Sequence, residues 1–294
     1  MHCLDTGCLR GTSLLANGAA VEHAVVRLAE RMARDSRILA GVHLNLLEGR
    51  CTAPAASIPL LAAADGFFRH SLGGLCRLLY ASRPSVREAA IEQSAIEWRA
   101  QTDTVTGLLQ QTLGTVPRVY LDGHQHVHAI PALRPALSAV LDAVAVTHVR
   151  VPEEPRYYCP APPKLALAGA LRRELLAFWG RSLRRFLASR GVPSPDVFIG
   201  AFCSGSMTAD RLEAGIARAA TLAGKGGLVE IMLHPGGNAP DGNSGGARTR
   251  SGGKDREFER FYAAPEREVE KNLVLSSFMR QILAKHDPSW QNPS

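Results

Sequence analysis

Arg118-Val119-Tyr120-Leu121-Asp122-Gly123-His124-Gln125-His126-Val127-His128 joins an apolar run to one carboxylate and three imidazoles. The apolar half reads as a strand, and the polar half begins where that strand should end. Side chains alternate along an extended chain, so Asp122, His124, His126 and His128 would share one face. Neutral imidazole and carboxylate are ordinary ligands of divalent metals. At roughly 3.3 Å per residue the polar segment is about 20 Å long when extended, so one ion cannot reach both ends. One or two ligands are expected from it, the rest supporting them or opening the next helix. The alternative is a polar loop whose histidines are satisfied structurally.

Two other stretches share this design. Gly41-Val42-His43-Leu44-Asn45-Leu46 alternates, with His43 and Asn45 facing away from Val42, Leu44 and Leu46. Val229-Glu230-Ile231-Met232-Leu233-His234-Pro235-Gly236 is a strand stopped by Pro and Gly just after a histidine. Chemistry in parallel α/β folds collects at the C-terminal ends of strands. Any one of these histidines could be a core or capping residue; three strands delivering His43, His124 and His234 beside Asp122 favour a site. Arg150, in His148-Val149-Arg150-Val151, suits a hydroxyl-rich or anionic substrate, or the orienting of a carboxylate. An ion pair with Glu153 or Glu154 explains it as well. Ser204 and Ser206 sit in no nucleophile-elbow pattern, which counts against a serine hydrolase.

Outward from these strands, apolar runs alternate with helical patterns, as in a parallel α/β fold. Strands are expected at Thr12–Leu15, Gly41–Leu46, Arg118–Leu121, Val146–Val151, Val197–Phe202 and Leu228–Leu233. Helices are expected at Ala19–Arg34, Ser85–Leu113, Ala132–Leu141, Leu165–Ser189, Thr208–Leu222 and Ser277–Lys285. Ser85 followed by Glu88 reads as a capping box at the start of the second helix. Residues 51–61 read as a long crossing loop. Residues 236–255 read as a flexible glycine-rich loop, either a lid or an idle insertion. The whole chain, 1–294, is read as a single domain.

The chain has 294 residues, 46% hydrophobic and 21% charged, enough for one large core. The net charge of +7 is scattered and aromatics are 6%, so nucleic-acid binding is not expected. The basic stretch from Arg172 to Arg185 has helical spacing and reads as a solvated face. Six cysteines lie without any CxxC pair, so neither a disulfide framework nor structural zinc is expected. No signal peptide and no run of membrane-spanning length is evident. The expectation is a cytoplasmic protein with reduced thiols, without a membrane span, and open to forming a homo-oligomer.

The runs Thr12–Val25, Gly41–Arg50, Leu121–Pro131, Val149–Glu154, Phe198–Met207 and Val229–Gly237 resemble, in order, the YdjC-like carbohydrate deacetylase family, closest to its eukaryotic-type branch. The resemblance implies an irregular, TIM-barrel-like (β/α) barrel and N-acetylated carbohydrate substrates, such as chitooligosaccharides. It implies one divalent metal ion, Mg²⁺ or Zn²⁺, held by His43 and His124. His234 would be the general acid. Arg150, Asp122, His126 and His128 would line the substrate side. The family also opens with a strand ending in Ala-Asp-Asp-Phe-Gly, one Asp a ligand and its neighbour the base. No such block precedes Thr12, so the barrel is expected to lack its first strand. Weak deacetylase activity, or a catalytically inactive carbohydrate- or protein-binding homologue, follows from that. An amidohydrolase-like enzyme with a second metal is the remaining rival.

Overall fold

The computed structural model describes residues 2–157, 167–236 and 264–287, with the backbone alone for 167–170. The loop expected at 236–255 lies, beyond residue 236, outside the described residues. Six strands form: β1 (Gly11–Leu14), β2 (Leu39–Leu44), β3 (Val119–Gly123), β4 (Val146–Val149), β5 (Val197–Ile199) and β6 (Val229–Ile231). The helices are α1 (His2–Thr6), α2 (Val21–Arg34), α3 (Leu72–Ala81), α4 (Pro84–Leu113), α5 (Arg134–Leu141), α6 (Leu167–Ser189), α7 (Ala209–Ala223), α8 (Pro265–Leu275) and α9 (Ser277–His286). This is an α/β fold with parallel strands.

The strands fall into two parallel sheets, β1-β2-β3-β4 and β5-β6. Among the described residues no ladder joins the two into a closed ring. β4 stops at Val149, two residues short of the expected end. There the Val149 N–H turns to the Pro193 carbonyl (3.0 Å), and Pro152 and Pro155 then remove two ladder donors. β5 stops at Ile199, because Gly200 takes φ 118.

Alternation decides which face of each strand meets the helices. Val42, Leu44, Val119 and Leu121 are fully buried against α2, α4 and α5, where Leu28, Trp98, Val105, Leu109 and Leu137 pack on them. Each such side chain contributes about 1.5–3 kcal/mol by leaving water. A second cluster under β5 and β6 gathers Ile199, Leu212, Ile216, Leu273 and Met279. On the other face of the first sheet, the Tyr120 ring lies over Gly41. A Cβ at residue 41 would stand 2.4 Å from that ring, so only glycine fits.

α4 begins differently from expectation. Pro84 occupies its first turn and Arg83 precedes it without a side-chain cap, so Ser85 is already inside the helix. Its buried polar residues hold the loop after β2. Glu97 accepts the N–H groups of Thr52 (2.8 Å) and Ala53 (2.9 Å). Gln101 donates to the Asn45 carbonyl (2.7 Å) and accepts the Asn45 N–H (2.9 Å). The ends of the chain also meet. Cys8 N–H donates to the Val274 carbonyl (3.2 Å), and Arg280 donates to the Thr6 carbonyl (2.7 Å). Among the described residues no helix is long and apolar enough to cross a membrane.

Candidate active site

The register of β2 and β3 places His43 directly beside Asp122. Both project away from the helix-packed face, and the His43 Nδ1 lies 2.8 Å from Asp122 Oδ1. The second carboxylate oxygen accepts from Ser13 Oγ (3.0 Å) on β1 and from Arg150 (2.5 Å) just past β4. Arg150 also donates through Nε to Glu230 Oε1 (2.7 Å) on β6. One guanidinium thus links two carboxylates from different sheets. Burial alone would raise the pKa of Asp122, but Arg150 and His43 hold it well below the usual carboxylate range. Burial pushes Glu230 the other way, upward, against the pull of Arg150.

Beyond Gly123 the alternation ends. His124–Ala129 forms short 3₁₀ turns, with Gln125 and His126 at φ 48° and 61°. Left-handed conformations at two successive non-glycine residues cost of order 1–3 kcal/mol each and collect at functional sites. The expectation of four aligned side chains is therefore corrected: the backbone turns after one of them. A Cβ at Gly123 would sit 2.6 Å from His128 Nδ1, so glycine lets this turn fold back on itself.

The turn sends the histidines to different places. The His124 ring faces that of His43, with centroids 5.6 Å apart. Its Nε2 is 3.1 Å from Glu48 Oε1, yet Nε2 is buried without a hydrogen bond, as is Glu48 Oε2. His126 lies edge-on to Phe198 at 5.9 Å, and its Nδ1 is buried without a partner. Burial, then Arg150, lowers its pKa well below the usual imidazole value. His128 is fully buried, and its Nε2–H donates to the Arg150 carbonyl (2.9 Å). It does not line the cleft, and its bond holds the strand end that carries Arg150.

His234 follows β6. Its backbone N–H donates to Glu270 (2.5 Å), which also accepts from the Met207 N–H (3.1 Å). Burial, then Arg267 and Arg150, pushes the ring pKa down to about 3. Asp122 pulls the other way, but desolvation and the positive neighbours outweigh it. Arg150 is 7% exposed and engaged with two carboxylates, so it orients them more than it offers itself to solvent.

Ser13, His43, Asp122, His124, Arg150 and His234 share one cleft of about 1450 Å³, which runs along the strands from Gly11 and Leu39 to their C-terminal ends. His126, Glu48 and Glu230 line it as well. Among the described residues no three His, Cys, Asp or Glu side chains already converge as a metal cage. The sequence reading did not single out Ser13, Glu48 and Glu230. The signal for Glu230 was a charge on the inward face of an otherwise apolar strand; for Glu48, a carboxylate five residues after the strand-end histidine. Ser13 carried none.

Known proteins resemble this chain along most of its length. The family described as YdjC-like protein matches residues 1–285. A carbohydrate deacetylase of Homo sapiens is 32% identical over 238 residues, covering 78% of this chain and 67% of that protein. Its Mus musculus counterpart is 31% identical over 237 residues, covering 78% and 70%. A structure from Enterococcus faecalis V583, of a protein proposed to cleave cellobiose-phosphate, superposes with a TM-score of 0.58. It covers 97% of this chain and 86% of its own at 16% identity, which speaks for the fold alone. Matched from its first residue to beyond α8, and with its histidines gathered at the strand ends, the chain belongs to the YdjC-like protein family.

Proposed function

We propose that the protein is a metal-dependent hydrolase that removes acetyl groups from N-acetylated carbohydrates, chitooligosaccharide-like sugars among them. The observation that supports this most is the Asp122–His43 couple beside His124 in a large cleft, in a chain whose relatives are named carbohydrate deacetylases. A cleft of about 1450 Å³ has room for more than one sugar ring. We also read the two sheets as arcs of one irregular (β/α) barrel, since Arg150 reaches Glu230 from one to the other.

The side chains suit a divalent ion. His124 Nε2 is buried and lacks a hydrogen bond. Asp122 takes the Nδ1–H of His43 and so leaves the Nε2 lone pair available, the arrangement that orients metal-bound imidazoles. His43 and His124 would hold the ion, and two imidazoles favour Zn²⁺ over Mg²⁺. Such an ion would polarise the acetyl carbonyl and acidify a water.

The chain's own groups supply the rest. Arg150 keeps Asp122 ionised, and Asp122 keeps His43 in one tautomer. His234 lines the same cleft and would hand a proton to the leaving sugar nitrogen, although burial and Arg267 disfavour its charged form.

Acetate release from N,N′-diacetylchitobiose and longer oligomers, with added Zn²⁺ or Mg²⁺, tests the proposal. His43→Ala and His124→Ala should abolish it. A folded protein that releases no acetate from any N-acetylated sugar overturns the reading, and activity indifferent to chelation removes the metal from it.

A further inference from the structure

We infer that one face of α6 is a docking surface for an anionic membrane, against which the helix lies flat. The buried side of α6 is settled: Leu176, Trp179, Leu183 and Leu187 enter the core. On the other side Leu171, Leu175 and Phe178 stand 62%, 43% and 58% exposed. Their spacing, four residues and then three, stacks them in one stripe along the helix. The remaining exposed large apolar side chains among the described residues lie singly on other elements, which is ordinary for a surface. A contiguous stripe of three such side chains marks a contact.

The charges decide what that contact is with. α6 carries five arginines against one glutamate. Arg181 and Arg185 continue the stripe, three and seven residues beyond Phe178, and both are exposed. Off the stripe the fold neutralises its arginines. Arg184 meets Glu153 (3.0 Å), and Arg190, just past the helix, meets Asp142. Glu174, the one acid of α6, is taken by Arg156 (2.6 Å). Among the described residues no carboxylate pairs with Arg181 or Arg185.

The stripe therefore presents an apolar half and a bare cationic half. A surface helix holds an anionic bilayer in this way: Leu and Phe side chains enter the headgroup boundary, and arginines beside them meet the lipid phosphates. A second copy of the chain would bring the same arginines together across a two-fold axis, so like charges count against that occupant. Docking of this kind needs no span, and among the described residues no helix is long and apolar enough to make one.

Co-sedimentation of the full chain with lipid vesicles tests this, comparing phosphatidylcholine alone with phosphatidylcholine containing about one third phosphatidylserine. The chain should prefer the anionic vesicles by at least about 10-fold, and salt should release it as the Debye length falls from about 10 Å at 0.1 M to about 3 Å at 1 M. Arg181→Glu/Arg185→Glu should weaken binding at least about 20-fold, at roughly fivefold for each positive charge removed near the surface. Leu175→Ser/Phe178→Ser should weaken it at least about 10-fold through lost apolar burial. Circular dichroism confirms that each variant is folded. No binding to the anionic vesicles overturns the inference, and so does binding that both double variants retain. Loss in the arginine variant alone means charge attraction without docking, which overturns it too. A dimer in sedimentation equilibrium that Leu175→Ser/Phe178→Ser dissolves would make the stripe an interface between copies instead. None of these four residues lines the cleft, so failure here leaves the deacetylase reading untouched.

Discussion

Lowering the pH from 7 to 5 should destabilise the protein in a way that His128→Gln specifically removes. His128 is fully buried, and burial pushes its pKa from 6.5 down to about 4. The folded state therefore refuses a proton that the unfolded chain accepts near pH 6.5. In that interval the unfolded state binds more protons, so stability rises with pH and is lost as pH falls from about 6.5 towards 4. At 1.36 kcal/mol per pH unit, going to pH 5 costs about 2 kcal/mol through this one residue. Gln can still donate an amide N–H to the Arg150 carbonyl but cannot titrate. Urea denaturation at pH 7, 6 and 5 would show both proteins losing stability, because His148 and His234 are also pushed down, to about 4 and about 3. The variant should start lower at pH 7 and lose about 2 kcal/mol less by pH 5. Parallel lines for the two proteins would refute the claim that His128 is held neutral by burial.

Gly41→Ala drives a methyl into the Tyr120 ring at 2.4 Å and should lower stability by about 1–3 kcal/mol in thermal unfolding. An unchanged midpoint would mean the ring moves freely. Glu97→Ala strands the N–H groups of Thr52 and Ala53 and should cost about 2–4 kcal/mol in urea. A cost below about 0.5 kcal/mol would show that water replaces the carboxylate. His234→Ala should lower kcat on N-acetylated sugars about 10²–10⁴-fold while Zn²⁺ affinity stays put. Loss of Zn²⁺ binding in that variant would make His234 a ligand.

The strands were legible because their signal is local. β1 to β6 all fall on the expected apolar runs, with ends that differ by up to three residues, since runs of β-branched and apolar residues are written directly into the sequence. α3 was not anticipated: its first turn carries Gly73 and Gly74, which weaken a helix, and tertiary packing of Leu75 and Leu79 supplies what propensity withholds. α8 was missed because the charged residues Glu266, Arg267, Glu268 and Glu270 hide an apolar face. The false cap at Ser85 followed from weighing a motif above Pro84, whose fixed φ sets the helix start one residue earlier. Strand-end histidines could be found one by one. That His43 meets Asp122, or that Arg150 joins Asp122 to Glu230, depends on register across separate strands. Alternation misled only where Gln125 and His126 turn left-handed, which no run of ligand-type residues announces.

The clasp between Thr6 and Arg280 spans 274 positions. On a ribosome adding about 5–20 residues per second, the partner of Thr6 is made roughly 14–55 s after Thr6 itself. The first four strands are complete once Val149 is made, about halfway through that time, and β1 then waits beside β2 with α1 not yet docked on α8. Such a long-range closure is also slow once the chain is released. The segment around Thr6 therefore waits for the Arg280 segment, and until then a chaperone, or a neighbouring nascent chain, can reach the surface that α8 and α9 will cover.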